Sequence, residues 1–194
     1  MAQIKSLCIY CGSKAGTNPA HRALAVDVGT GVANRGWTLV YGGGGIGLMT
    51  VAADAALTAG GKVIGAIPTH LANSEIRHVG LSELILTDSM HERKAAMFDR
   101  ADAFAVLPGG LGTLDEFFEI LTWRQIGLHD KPVIVVDNDK YWAPLEQLVD
   151  QVIGEGFASD SAHELFSVVD GAEAMFEALA AAPDPTIGPR PDRI

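Results

Sequence analysis

Short apolar runs alternate with helix-period segments along nearly the whole chain, and this alternation restricts the fold more than any other feature. Ser6 to Tyr10, Thr38 to Tyr41, Lys62 to Ile67, Leu84 to Leu86, Ala103 to Leu107, Val133 to Val136 and Phe166 to Val169 read as strands. Asn18-Pro19 reads as an N-cap with proline at the first helical position, opening a helix that runs to about Arg35. Further helices are expected from about Ile46 to Ala59, Met90 to Arg100, Leu114 to Ile126, Tyr141 to about Glu155, and Ala172 to Ala181. Strands of this kind, apolar on both faces, are those of buried parallel sheets. The pattern therefore predicts an α/β fold: a doubly wound, Rossmann-like, mainly parallel sheet with helices on both faces and ligands at the carboxyl ends of the strands. With 194 residues and 48% hydrophobic content, a single globular domain over residues 1–182 is expected. The tail 183–194, with four prolines in twelve residues, is expected to be disordered or to lie along the surface.

Two strand-to-helix junctions are rich in glycine. In Pro108-Gly-Gly-Leu-Gly-Thr-Leu-Asp-Glu116, three glycines, Gly109, Gly110 and Gly112, permit close backbone approach, and Thr113 reads as the N-cap. Amide N–H groups and the helix dipole then converge on a space the size of a phosphate. Asp115 and Glu116 follow at once. They either complement the dipole of the first turn or set a carboxylate beside the bound anion. The second junction, Gly42-Gly-Gly-Gly45-Ile-Gly47, satisfies the glycine spacing of a dinucleotide site. However, it follows the second strand, and the next strand ends Gly65-Ala-Ile-Pro68-Thr69 with no acidic residue for ribose hydroxyls. NAD is not expected, and the absence of a GK[ST] ending excludes the P-loop reading. A turn for tight helix-on-sheet packing remains the alternative. A third segment, Met90-His-Glu-Arg-Lys94, opens a helix with two adjacent cations, Arg93 and Lys94, that either form a solvated face or neutralise a ligand.

The formal charge of -10 and pI near 4.9 argue against a broad basic face, so no nucleic-acid partner is expected. A small anion would have to be held locally, by amides and a few cations. Cys8-x-x-Cys11 lacks the second pair a zinc site needs, so no metal is expected; Cys8 reads as a core thiol and Cys11 as a loop thiol. Met1-Ala-Gln-Ile-Lys5 runs straight into the first apolar run without signal-peptide architecture, and no apolar stretch approaches a membrane span. A cytoplasmic protein with no membrane partner is expected.

Taken together, Cys11-Gly-Ser13, Tyr41-Gly-Gly-Gly-Gly-Ile-Gly-Leu-Met49, Met90-His-Glu-Arg-Lys94, Pro108 to Glu116 and Trp123-Arg-Gln-Ile-Gly-Leu-His-Asp-Lys-Pro132 resemble the LONELY GUY (LOG) family over nearly the whole length. These are cytokinin riboside 5'-monophosphate phosphoribohydrolases, also labelled putative lysine decarboxylases. The family's P-G-G-x-G-T-x-x-E falls on Pro108 to Glu116 and its arginine-lysine pair on Arg93 and Lys94. The resemblance thus implies that Arg93 and Glu116 are catalytic and that the protein is a homodimer with active sites at or near the subunit interface. It also implies that Glu75, between Pro68 and His78, helps enclose the nucleotide. The chain departs from the family at Thr50, where G-L-M-G is common.

The implied reaction cleaves the N-glycosidic bond of a nucleoside 5'-monophosphate, such as AMP or isopentenyladenosine 5'-monophosphate, through an oxocarbenium-like transition state. Glu116 would stabilise the charge growing on the ribose and orient or deprotonate water. The 5'-phosphate would rest on Gly109, Gly110, Gly112 and Thr113, with Ser13 or the turn Gly43, Gly44, Gly45 assisting; Met90, Lys94 and Asp115 complete the substrate-binding candidates. Arg93 would pair with Glu116 or contact the ribose or base. No cofactor is expected, since nothing marks a Schiff-base lysine for pyridoxal phosphate. A non-enzymatic nucleotide or molybdenum-cofactor carrier is the alternative, and the combination of Arg93 with Glu116, which a passive receptor does not need, speaks against it.

Overall fold

The computed structural model describes residues 3–72 and 77–187. Seven strands form one sheet: β1 Ser6–Tyr10, β2 Thr38–Tyr41, β3 Lys62–Pro68, β4 Glu83–Thr87, β5 Ala103–Val106, β6 Val133–Asp137 and β7 Ser167–Asp170. Their order is β4-β3-β2-β1-β5-β6-β7, and every neighbouring pair is parallel. The helices are α1 Pro19–Asn34, α2 Gly47–Thr58, α3 Thr69–Ala72, α4 Met90–Asp99, α5 Leu111–Gln125, α6 Ala143–Gly154 and α7 Gly171–Ala181. The short α3 and a 3-10 turn over Asp160–Leu165 are additions to the sequence-based expectation; both are too short for a periodic apolar signal.

The sheet divides the core in two. Leu7, Ile9 and Cys11 project into one cluster with Leu24, Val28 and Val32 of α1, Val51 and Ala52 of α2, and Met175, Phe176 and Leu179 of α7. Cys8 and Tyr10 project the other way, onto Met97 and Phe98 of α4, Phe117 and Ile120 of α5, and Leu145 and Val149 of α6. Period-two alternation assigns consecutive strand residues to opposite faces, so a central strand between two helical layers must be apolar throughout. Cys11 lies in the loop just past β1, as expected, yet it is buried, because it continues that strand's inward alternation into the first cluster. Both cysteines are free thiols, and burial pushes both upward in pKa.

The chain builds outward from β1 to the edge at β4, then returns to place β5 on the other side of β1. The reversal of direction falls between β1 and β5, the crevice where doubly wound sheets bind ligands. Gly12 N–H donates to the Pro108 carbonyl at 3.1 Å, joining the two turns that rim this crevice. Within the tail, Thr186 and Ile187 donate to the Asp130 carboxylate, so residues 183–187 lie against the surface. Among the described residues no helix is long and apolar enough to cross a membrane.

Candidate active site

The glycine turn after β5 opens the long helix α5. Its N-cap is Gly110, with no side-chain cap bond, and the first intrahelical bond runs from Leu114 N–H to the Gly110 carbonyl. This corrects the expectation that Thr113 caps a helix starting at Leu114. Thr113 lies inside the first turn and is 3% exposed, because Gly109 packs so closely on it that any Cβ there would overlap its Oγ1. A helix that starts without a side-chain cap leaves its first amides for another acceptor. Cβ positions built on Gly110 and Gly112 meet nothing within 4 Å, so this end of the helix faces open space.

That space is a cleft of about 440 Å³ lined by Gly12 to Thr17, His21, Leu48, Pro108 to Leu111 and Tyr141. No carboxylate is among its lining residues, although the chain as a whole carries a net charge of -10. Ser13 lies on this rim, as expected. Gly43, Gly44 and Gly45 do not line it. They sit at the end of β2, where Gly43 has φ 70°, the Gly44 carbonyl accepts from Tyr41 Oη and Thr50 Oγ1 (3.3 Å each), and the Gly43 carbonyl accepts from His78 N–H.

Glu116 lies one turn beyond Gly112, and Arg93 Nη1 meets its Oε1 at 3.0 Å. Each side chain retains about a tenth of its exposure. Arg93 reaches there because Ser89 caps α4, its Oγ accepting from Glu92 N–H, which places residue 93 one turn in and against the sheet. Arg93 Nε donates to the Ala66 carbonyl at 3.1 Å, and its guanidinium lies over Gly42, where a Cβ would overlap Nη2. Burial raises the Glu116 carboxyl to about 7, against the opposing pull of the Arg93 charge. Both residues are thus removed from the solvated-face reading.

Lys94 is also enclosed, bonded to Asp115 at 3.2 Å and Glu119 at 2.9 Å. Burial works against its charge, but these two carboxylates raise its pKa. Asp115 itself is 62% exposed at the side chain and lies in the second turn of α5, not the first. Met90 begins α4 and is partly exposed. Glu75 falls outside the described residues. Among the described residues no group of histidine, cysteine and carboxylate side chains forms a metal site.

Arg93, Lys94, Asp115 and Glu116 therefore converge, beside an open helix N-terminus at the crevice of the sheet. A family model described as possible lysine decarboxylase matches residues 49–179. The cytokinin riboside 5'-monophosphate phosphoribohydrolase LOG1 of Arabidopsis thaliana is 39% identical over 178 residues, 92% of this chain and 84% of the relative. That of Rhodococcoides fascians is 40% identical over 176 residues, covering 90% and 89%. The chain belongs to the LOG family. A molybdenum cofactor binding protein from Rippkaea orientalis shares the fold, with a TM-score of 0.72 at 22% identity over 93% of this chain and 98% of that one.

One LOG-like motif stands apart from the site. Trp123 to Pro132 lies at the far end of α5, by the amino edge of the sheet, and its polar groups are internal fasteners. Arg124 Nη1 donates to the Leu165 carbonyl, and Lys131 Nζ to the Phe98 carbonyl. His129 Nε2 donates to the Ile120 carbonyl while Nδ1 accepts from Lys131 N–H; burial pulls its pKa down to about 4, so it is neutral. Conversely, sequence reasoning missed Gly42, Ala66, His21 and Tyr141. Only the first has a sequence signal: it begins the glycine run without a turn to explain it.

Proposed function

We propose that the protein hydrolyses the N-glycosidic bond of nucleoside 5'-monophosphates, releasing free base and ribose 5-phosphate. The observation that carries this reading is a buried carboxyl, Glu116, raised to about 7 and paired with Arg93, one turn from an uncapped helix N-terminus. The names of relatives at about 40% identity support it over a carrier role.

With the 5'-phosphate on the first amides of α5, the carboxyl lies about 6 Å further along the helix, at 1.5 Å per residue. A ribose spans such a gap between its phosphate and its anomeric carbon. As the bond to the base lengthens, positive charge on the ribose is met by the Glu116 carboxylate. The same carboxylate takes a proton from the water that attacks the anomeric carbon, and the base departs with the bonding electron pair and receives the proton that Glu116 then gives up, which restores the carboxylate. The Arg93 charge opposes the effect of burial, leaving Glu116 partly ionised near pH 7, and holds its rotamer, while the phosphate anchor orients the reacting atoms. Lys94, bonded to Asp115 and Glu119, ties α4 to α5 beside the Arg93–Glu116 pair. AMP and isopentenyladenosine 5'-monophosphate are the substrates we infer from the family.

We also infer a homodimer. Leu86 on the edge strand, Met90 on α4 and Phe118 on α5 are exposed apolar side chains on the helices that carry Arg93 and Glu116 and on the strand beside α4, and a second copy would cover them. Light scattering should give twice 20.4 kDa. Nucleotide substrates and two free thiols fit action in the cytoplasm.

The test is to incubate the purified protein with AMP, isopentenyladenosine 5'-monophosphate and adenosine and to follow free base by chromatography. Base should be released from at least one nucleotide and poorly from adenosine. Glu116→Gln should lower turnover roughly 100-fold or more with AMP affinity little changed. Asp115→Asn, an exposed change that leaves Lys94 its Glu119 partner, should leave turnover nearly intact. Equal turnover of adenosine and AMP, or full activity in Glu116→Gln, refutes the reading.

A further inference from the structure

We propose that Tyr141 is a positioning residue of the phosphate site, acting through the peptide between Gly109 and Gly110. The inference deepens the phosphoribohydrolase reading and rests on it. Its origin is the turn after β6. Tyr141 N–H donates to the Asn138 carbonyl at 3.2 Å, closing a turn whose central residues, Asp139 (φ 57°) and Lys140 (φ 59°), both adopt left-handed conformations. These are the only non-glycine residues with positive φ among those described, and such strain persists only where the surroundings hold it. Here they do. Asn18, the cap of α1, donates from Nδ2 to Asp139 at 2.8 Å, and Asp137 Oδ1 accepts from the N–H groups of Asn138 and Trp142.

The turn carries Tyr141 to the wall of the cleft, where its hydroxyl donates to the Gly109 carbonyl at 2.5 Å. Its ring meets His21 edge-on, with centroids 5.1 Å apart at 74°. A peptide flanked by two glycines meets little steric resistance to turning over, so a hydrogen bond to its carbonyl decides which way the plane faces. In a trans peptide the C=O and N–H point in opposite directions. Fixing the Gly109 carbonyl toward Tyr141 therefore also fixes the Gly110 N–H, at the residue that opens α5. His21, 7% exposed, lines the cleft, and its Nδ1 has no hydrogen-bond partner.

Tyr141→Phe removes the hydroxyl and keeps the ring on His21. In the otherwise wild-type protein it should raise KM for AMP about 5- to 10-fold, the worth of one hydrogen bond, and change kcat less than about twofold. Calorimetric titration in a Glu116→Gln background separates this proposal from the catalytic reading. There, Tyr141→Phe should weaken AMP and ribose 5-phosphate by the same factor and leave adenosine unaffected, with the melting temperature unchanged. Selective loss of the phosphorylated ligands sustains the proposal even if no nucleotide proves to be hydrolysed. Equal loss for adenosine and AMP, no loss for either, a lowered melting temperature accompanying the loss, or no binding of ribose 5-phosphate by the parent protein overturns it.

Discussion

Gly42→Ala adds one methyl group where the backbone would accept it, since Gly42 is not among the residues of positive φ. The three atoms nearest to that methyl all belong to Arg93: it would overlap Nη2 and stand 2.8 Å from Cζ and 3.3 Å from Nε. Carbon contacts settle at about 3.5–4.0 Å, so the guanidinium must withdraw by roughly 2 Å at Nη2. It cannot do so and keep both the 3.1 Å bond to the Ala66 carbonyl and the 3.0 Å bond to Glu116. Parting a buried ion pair costs about 3–5 kcal/mol. The full cost is expected near pH 8 and less near pH 6, where Glu116 takes a proton instead of remaining an unpaired charge. Base release should fall roughly 100-fold, as for Arg93→Ala. The decisive measurement is a double-mutant cycle by urea denaturation. With Arg93→Ala already in place the methyl meets no guanidinium, and Gly42→Ala should then cost less than about 0.5 kcal/mol. Wild-type turnover in Gly42→Ala, or the same stability cost in both backgrounds, would refute the argument that this glycine exists to admit Arg93.

The remaining predictions concern protonation and the second glycine turn. If ionised Glu116 is required, base release should decline as pH falls through about 7, and residual activity of Arg93→Ala should decline at higher pH, because the charge that lowers the carboxyl is gone; pH–rate profiles of both proteins check this. The folded protein holds the Glu116 proton more tightly than the unfolded chain, whose value is near 4.5. The group's contribution to stability is therefore present below about 4.5 and lost as pH rises through about 7, on the order of 3 kcal/mol at 1.36 kcal/mol per unit. Glu116→Gln should flatten that dependence in thermal melts. Thr50→Gly removes the 3.3 Å bond to the Gly44 carbonyl and sets a glycine inside α2. It should cost about 1 kcal/mol while turnover holds, since Tyr41 keeps the same carbonyl; a parallel loss of turnover would assign Thr50 to the site.

The α/β architecture is legible in the residues alone, because runs such as Leu7 to Tyr10 and Ala103 to Leu107 are apolar on both faces and only a sheet covered by helices on both sides accommodates them. So are the motifs, since glycine at 109, 110 and 112 and the carboxylates at 115 and 116 are local features of one strand-to-helix turn. Where α5 begins was not legible: Thr113 has the chemistry of a cap, but close packing against Gly109 draws it into the first turn and leaves Gly110 in its place. Nor was the division of labour between two adjacent carboxylates. Asp115 and Glu116 differ by one residue, or about 100° around a helix. That rotation turns one to solvent and the other onto Arg93, where burial and a guanidinium from α4 set its charge. Tyr141 and His21 carried no signal at all, because one comes from the connection between β6 and α6 and the other from the first turn of α1, and these meet only when the sheet places β1, β5 and β6 side by side. Local chemistry is written in neighbouring residues. A buried charge, an open helix end and a peptide held by a distant hydroxyl depend on which strands become neighbours, and that is decided by packing.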